Sequence, residues 1–139
     1  MFLEKVKSEG IAHLSYILGD GNHAAVIDPR RDCRIYQEIA ARNGVSIRYV
    51  FETHRNEDYV IGSQDLARLT GASIHHGSAL DFRYGEPVRE GDRFPLGELE
   101  LKVLETPGHT LESISLVLLD RNTGDDAVAV FTGDALFVG

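Results

Sequence analysis

The chain has 139 residues, 42% of them hydrophobic and 26% charged, which excludes a collagen-like, disulfide-stapled or wholly disordered polypeptide. Its 14 Lys and Arg against 22 Asp and Glu leave a formal net charge of −8, which argues against a nucleic-acid or anionic-membrane surface as main partner. No apolar run approaches the roughly 18 residues of a spanning helix, and a lone Cys33 makes a reducing, cytoplasmic location the expectation.

In chain order, strands are predicted at Phe2–Val6, Ile11–Leu18 and His23–Ile27, with turns at Glu9-Gly10 and Gly19-Asp20-Gly21-Asn22. Asp32 is expected to cap a helix running to about Asn43, with Ile35, Tyr36, Ile39 and Ala40 as its apolar stripe and Gly44 as its stop. Ser46–Phe51 reads as a buried strand. A second helix is expected over about Tyr59 to Thr70, ending at Gly71, followed by a short strand at Ala72–His75. A loop with turn residues Gly85, Pro87, Gly91 and Pro95 comes next. Glu98–Glu105 alternates as a half-buried strand does, and Ile114–Leu119 and Ala127–Phe131 form a hairpin across Asp120–Asp126. The class is α/β or α+β, in one domain without repeats or linkers.

Three strand exits carry chemistry. Phe51 leads into Glu52-Thr53-His54-Arg55-Asn56-Glu57-Asp58-Tyr59, Leu104 into Glu105-Thr106-Pro107-Gly108-His109-Thr110, and Phe131 into Thr132-Gly133-Asp134. Each puts a metal-ligand type where a rigid strand hands over to a loop. Singly, each has a bland explanation as a turn or capping residue; together they point to a metal site. Two imidazoles and one carboxylate make the facial triad of non-haem Fe(II) oxygenases, which leaves positions open for O₂ and a substrate. Metal-bound imidazoles usually donate their second N–H to a carboxylate or carbonyl. Asp58 and Glu105 are the candidates for that role.

These three segments resemble, in order, the motifs of the metallo-β-lactamase superfamily. The first motif is normally Thr-His-x-His-x-Asp-His, and here Asn56 and Tyr59 stand where dinuclear hydrolases such as glyoxalase II hold two further ligands. The persulfide dioxygenase branch is more similar, because it binds one iron through positions matching His54, His109 and Asp134. Asp58-Tyr59-Val60-Ile61-Gly62 and Gly133-Asp134-Ala135-Leu136-Phe137 resemble members fused to rhodanese domains.

The resemblance implies an α/β fold of αββα sandwich type. Residues 1–139 would be a single metallo-β-lactamase-like domain that is C-terminally incomplete, with its second half cut short. It implies one Fe(II) per chain, zinc being the alternative, held by His54, His109 and Asp134, with Asn56, Asp58 and Tyr59 supporting the ligands. The expected substrates are O₂ and a small-molecule thiol persulfide, such as glutathione persulfide, oxidised to sulfite. No nucleic-acid or membrane partner is expected; a homo-oligomer and a rhodanese domain in the full-length protein remain open. Two alternatives stand beside this reading: a zinc-dependent, glyoxalase II-like hydrolase of the same fold, and a non-catalytic partner-binding fragment.

The remaining histidines and Cys33 read as structural. His75-His76 point to opposite faces of a strand and are expected to be surface or supporting polar residues. His13 and His23 are expected at surface strand positions. Cys33, near a helix start that would lower its pKa, lacks a partnered base, and Arg30, Arg31 and Arg34 read as a solvated helix start.

Overall fold

The computed structural model describes residues 1–8, 13–54, 62–77, 84–106, 113–123, 126–132 and 135–137. Strands β1 (Phe2–Ser8), β2 (His13–Asp20) and β3 (His23–Ile27) open a six-stranded sheet. It continues through β4 (Ser46–Phe51), β5 (Ser73–Gly77) and β6 (Glu86–Val88) in sequential order. The β1–β2 and β2–β3 pairs are antiparallel, whereas β3 to β6 run parallel. The β3–β4 and β4–β5 crossovers contain helices α1 (Arg34–Arg42) and α2 (Ser63–Thr70). A second, antiparallel sheet contains β7 (Arg93–Leu96), β8 (Leu99–Glu105), β9 (Ile114–Asp120), β10 (Asp126–Phe131) and β11 (Ala135–Phe137).

Side-chain period explains the layers. Along β3, Ala25 and Ile27 face the second sheet while Ala24 and Val26 face the helices, so the strand is apolar from Ala24 to Ile27, as a strand covered on both faces must be. Along β8, Leu99, Leu101 and Val103 point inward, whereas Glu100, Lys102 and Leu104 are half-buried on the far face. One core therefore lies between the sheets, built on Tyr16, Phe51, Leu101, Leu116 and Phe131. A second lies under α1 and α2, around Tyr36, Ile39, Val50 and Leu66. The two sheets with helices against the first give three of the four layers expected; a helical layer outside the second sheet is not among the described residues.

Several expectations shift. The N-cap of α1 is Cys33, not Asp32, and makes no side-chain cap bond; Asp32 Oδ1 instead accepts the Arg34 N–H at 3.4 Å. The described part of the second helix begins at Ser63, and the expected start near Tyr59 lies outside the described residues. The expected loop after His75 contains β6 and β7. Their prolines hid them, because Pro87 and Pro95 fall in short strands at sheet edges, where a missing N–H is tolerated. The three-residue β11 was likewise not expected.

His75 and His76 are not surface residues: they are 5% and 3% exposed. Phe94 of β7 lies over the face of β5 that bears His75, and Tyr84 lies beside His76 on the other face. His75 lies against Phe94, ring centroids 4.5 Å apart, with Ser73 Oγ 2.8 Å from its Nε2. Burial pushes its pKa down, against the opposing pull of Glu86. On the other face, the ring nitrogens of His76 lie 2.9 and 2.8 Å from the carbonyl oxygens of Gly77 and Tyr84. His23 is half-buried, and the side chain of His13 lies outside the described residues. Cys33 is buried, and desolvation pushes its thiol pKa up, opposite to the lowering a helix start would give.

Two close approaches position the loops. A Cβ at Gly62 would lie 2.0 Å from the Arg30 carbonyl oxygen, so the start of α2 can lie on the β3–α1 loop only as glycine. The Gly62 N–H donates to Pro29 O there at 3.0 Å. At the opposite end of the sandwich, Gly97 (φ +62) would bring a Cβ within 2.8 Å of the Asp20 backbone. Asp20 Oδ2 accepts the Glu98 N–H at 2.7 Å, and Oδ1 lies 3.3 Å from the Met1 ammonium.

Candidate metal centre

The carboxyl ends of β3, β4, β8 and β10 meet at one edge of the sandwich. Ile27 pairs with Phe51 in the parallel ladder, and the Asp28 N–H continues it by donating to Phe51 O at 2.8 Å. Across the sheets, the Ile114 N–H donates to Thr53 O at 2.7 Å. Phe131 pairs with Leu116, close to that crossing, and its ring meets Tyr16 edge-on at 5.2 Å. Strands of opposite sheets are thus bonded to each other beside His54.

His54 is half-buried, and its Nδ1 lies 3.0 Å from Thr53 Oγ1. Thr53 is itself 1% exposed; its N–H donates to Asp28 Oδ1 at 2.7 Å, and its Oγ1 lies 2.5 Å from Asp28 Oδ2. Asp28 is 5% exposed and has φ of 54°, the one positive φ of a non-glycine residue among those described. Such a conformation costs an aspartate little compared with other side chains, because its short polar group bonds locally. Glu52 is buried on the other face of the sheet, where Tyr84 Oη donates to its Oε1 at 2.9 Å.

Of the residues singled out from sequence, the structure describes His54. His109, Asp134, Asn56, Asp58 and Tyr59 lie outside the described residues. Both feet of the segment bearing His109 are nevertheless set beside Thr53. The Thr106 N–H donates to Ser113 O at 3.0 Å, Thr106 Oγ1 lies 3.0 Å from Ser115 Oγ, and Ile114 follows directly. Asp134 falls between Phe131 and Ala135, which pair across the β10–β11 turn at the same edge. Glu105, considered as an imidazole partner, is exposed and occupied elsewhere. Its Oε1 accepts the Glu90 N–H at 3.2 Å while its own N–H donates to Glu90 Oε1 at 2.7 Å.

Among the described residues, no group of three or more His, Cys, Asp or Glu could hold a metal ion. The described donor nonetheless fits one. His54 engages Thr53 through Nδ1, which leaves Nε2 as the nitrogen that would face an ion, with the kind of support that metal-bound imidazoles show. Sequence reasoning missed Asp28 as part of this arrangement. The signal was there: Asp28 follows the apolar run Ala24–Ile27 and precedes Pro29, the same strand-exit position that marked the other three segments.

Known proteins resemble this chain in sequence and in fold. The family model described as Metallo-beta-lactamase superfamily matches residues 9–139. A hydroxyacylglutathione hydrolase of Brucella anthropi is 35% identical over 109 residues, covering 76% of this chain and 40% of the relative. Among solved structures, a metallo-beta-lactamase from Staphylococcus aureus superposes with a TM-score of 0.85 at 32% identity, over 95% of this chain and 42% of that one. ETHE1 from Myxococcus xanthus gives 0.78 at 29% identity, over 85% and 54%. The BLEG-1 B3 metallo-beta-lactamase, at 14% identity and a TM-score of 0.69, shares the fold. The chain spans about 40% of the length of the curated relatives it matches.

Proposed function

We propose that this chain, which belongs to the metallo-beta-lactamase superfamily, carries the metal-binding part of a mononuclear iron enzyme that oxidises a low-molecular-weight thiol persulfide. The observation that carries this reading is the pattern of departures in the motif: His54, His109 and Asp134 are kept, while Asn56 and Tyr59 occupy the two positions where a dinuclear hydrolase needs ligands. Random decay would not spare one complete set while emptying the other. The likeness to the ETHE1 structure fits the same reading.

The residues that would hold the ion are His54, His109 and Asp134, with Asn56, Asp58 and Tyr59 around them. Bound iron would supply a redox-active positive centre that attracts an anionic persulfide and accepts O₂. The protein's part is positional. Thr53 and Asp28 hold the His54 ring, and the Ile114–Thr53 bond ties the start of β9 to the residue before it. With a net charge of −8, the chain attracts an anion only locally, at the ion.

A second reading has its own support. The curated relatives are named hydroxyacylglutathione hydrolases, which favours a zinc-dependent thioester hydrolase. Both readings imply a glutathione-type thiol. A fragment that binds a partner without turnover is the third. Metal analysis of protein produced with iron, paired with O₂ uptake on glutathione persulfide, separates them. About one iron per chain with persulfide-dependent uptake is expected. About two zinc ions with hydrolysis of a glutathione thioester would overturn the proposal, as would neither metal nor turnover in the full-length protein carrying this segment.

A further inference from the structure

We infer that Asp28, acting through Thr53, sets which nitrogen of His54 carries the proton, and so holds the ring in its metal-ready tautomer before any ion arrives. The inference rests on the reading of His54 as a ligand, and deepens it.

Three contacts fix where the protons lie. The Thr53 N–H can only donate, so Asp28 Oδ1, 2.7 Å away, is an acceptor. Asp28 as a carboxylate has no proton to give. The single hydroxyl proton of Thr53 therefore lies toward Asp28 Oδ2, across 2.5 Å. Thr53 Oγ1 is then left with lone pairs for its third neighbour, His54 Nδ1 at 3.0 Å, and that nitrogen must be the donor. A neutral imidazole has one N–H. With it on Nδ1, Nε2 presents a bare lone pair.

The surroundings hold this order in place. Asp28 and Thr53 are 5% and 1% exposed, so water does not compete for their bonds. The Thr53 backbone is held at both groups, by Asp28 at its N–H and by Ile114 at its carbonyl. The positive φ of Asp28 turns its carboxylate back onto Thr53. Asp28 is thus a positioning residue that acts two bonds away from the ligating atom.

The geometry makes an exchange of one atom informative. In Asp28→Asn the Thr53 N–H still demands an oxygen, so the amide NH₂ falls opposite Thr53 Oγ1 and donates to it. The hydroxyl proton then turns toward His54 Nδ1, and the ring must carry its own proton on Nε2, the atom that binds metal. Thr53→Val removes the connection and Thr53→Ser keeps it.

The test is ¹⁵N NMR of the metal-free full chain with labelled histidine, at a pH where the ring is neutral, the His54 signals being assigned by their loss in His54→Gln. Wild type and Thr53→Ser should show the proton on Nδ1; Asp28→Asn and Thr53→Val should show it on Nε2. Zinc or iron affinity, read by chelator competition, should fall about 10- to 100-fold in Asp28→Asn and Thr53→Val and recover in Thr53→Ser. A role confined to stability would lower melting temperature without moving the proton. Wild type protonated on Nε2, or Asp28→Asn keeping the wild-type tautomer, overturns the inference. Tautomers as expected in a protein that binds no metal uphold the relay and overturn the ligand reading instead.

Discussion

The two ends of the sandwich each hold an aspartate that accepts a backbone N–H at 2.7 Å, Asp28 from Thr53 and Asp20 from Glu98. What lies behind each differs. The second oxygen of Asp20 faces the Met1 ammonium and solvent, so the contact clamps the β2–β3 turn to the β7–β8 turn and goes no further. The second oxygen of Asp28 faces a buried hydroxyl that itself touches His54. The same carboxylate–amide bond is a clasp where water can replace it and a control element where water is excluded. Burial and the next group in line, more than the bond itself, decide the role.

Breaking the buried end should cost most. Asp28→Ala strands two donors and places alanine at a positive φ, with an expected loss of about 3 kcal/mol in urea unfolding. Asp20→Ala loses a solvent-accessible bond and should cost about 1 kcal/mol by the same measurement. The double variant should equal the sum to within about 0.5 kcal/mol, because the sites share no partners. A larger discrepancy would mean that the ends communicate.

The two ends should also answer to pH in different windows. Burial lowers the pKa of His75, which lies beside Phe51 at the site end, so its contribution is complete above its ordinary 6.5 and is lost as pH falls below that. His75→Phe, which keeps packing on Phe94, should flatten this segment of the stability–pH curve. The Glu98 N–H holds the Asp20 carboxyl below its ordinary 3.8, so the far end weakens only as pH falls below that value. The smallest effect should come from acetylating Met1, which removes a half-exposed charge 3.3 Å from Asp20 and should cost at most about 0.5 kcal/mol in thermal melts.

The long strands were legible because apolar periodicity survives in them: β3, β4, β8 and β9 lie where alternation and β-branched runs put them. The short strands β6 and β7 were not, since three or four residues with a proline carry no readable period. The burial of His75 and His76 was illegible for another reason. It depends on Phe94 and Tyr84, which the fold brings against β5, a tertiary fact absent from the local pattern. At the site, ligand types at strand exits could be read from the chain, and the family match agrees with the motif reading. The orientation of Glu105 toward Glu90 could not, because both glutamates satisfy backbone groups that only the folded turn brings near. Asp28 was readable in principle, at the same kind of position as the others.

The bond from Ile114 to Thr53 O has a kinetic consequence. It joins distant parts of the chain, one from each sheet, so it forms only when the sheets close on each other, late in folding and after the local hairpins. An opening that parts the sheets breaks this bond and with it the support of the His54 ring. Amide exchange at Ile114 then becomes a clock for the intact site, and an ion bound at His54 would slow that exchange by holding the two sheets shut.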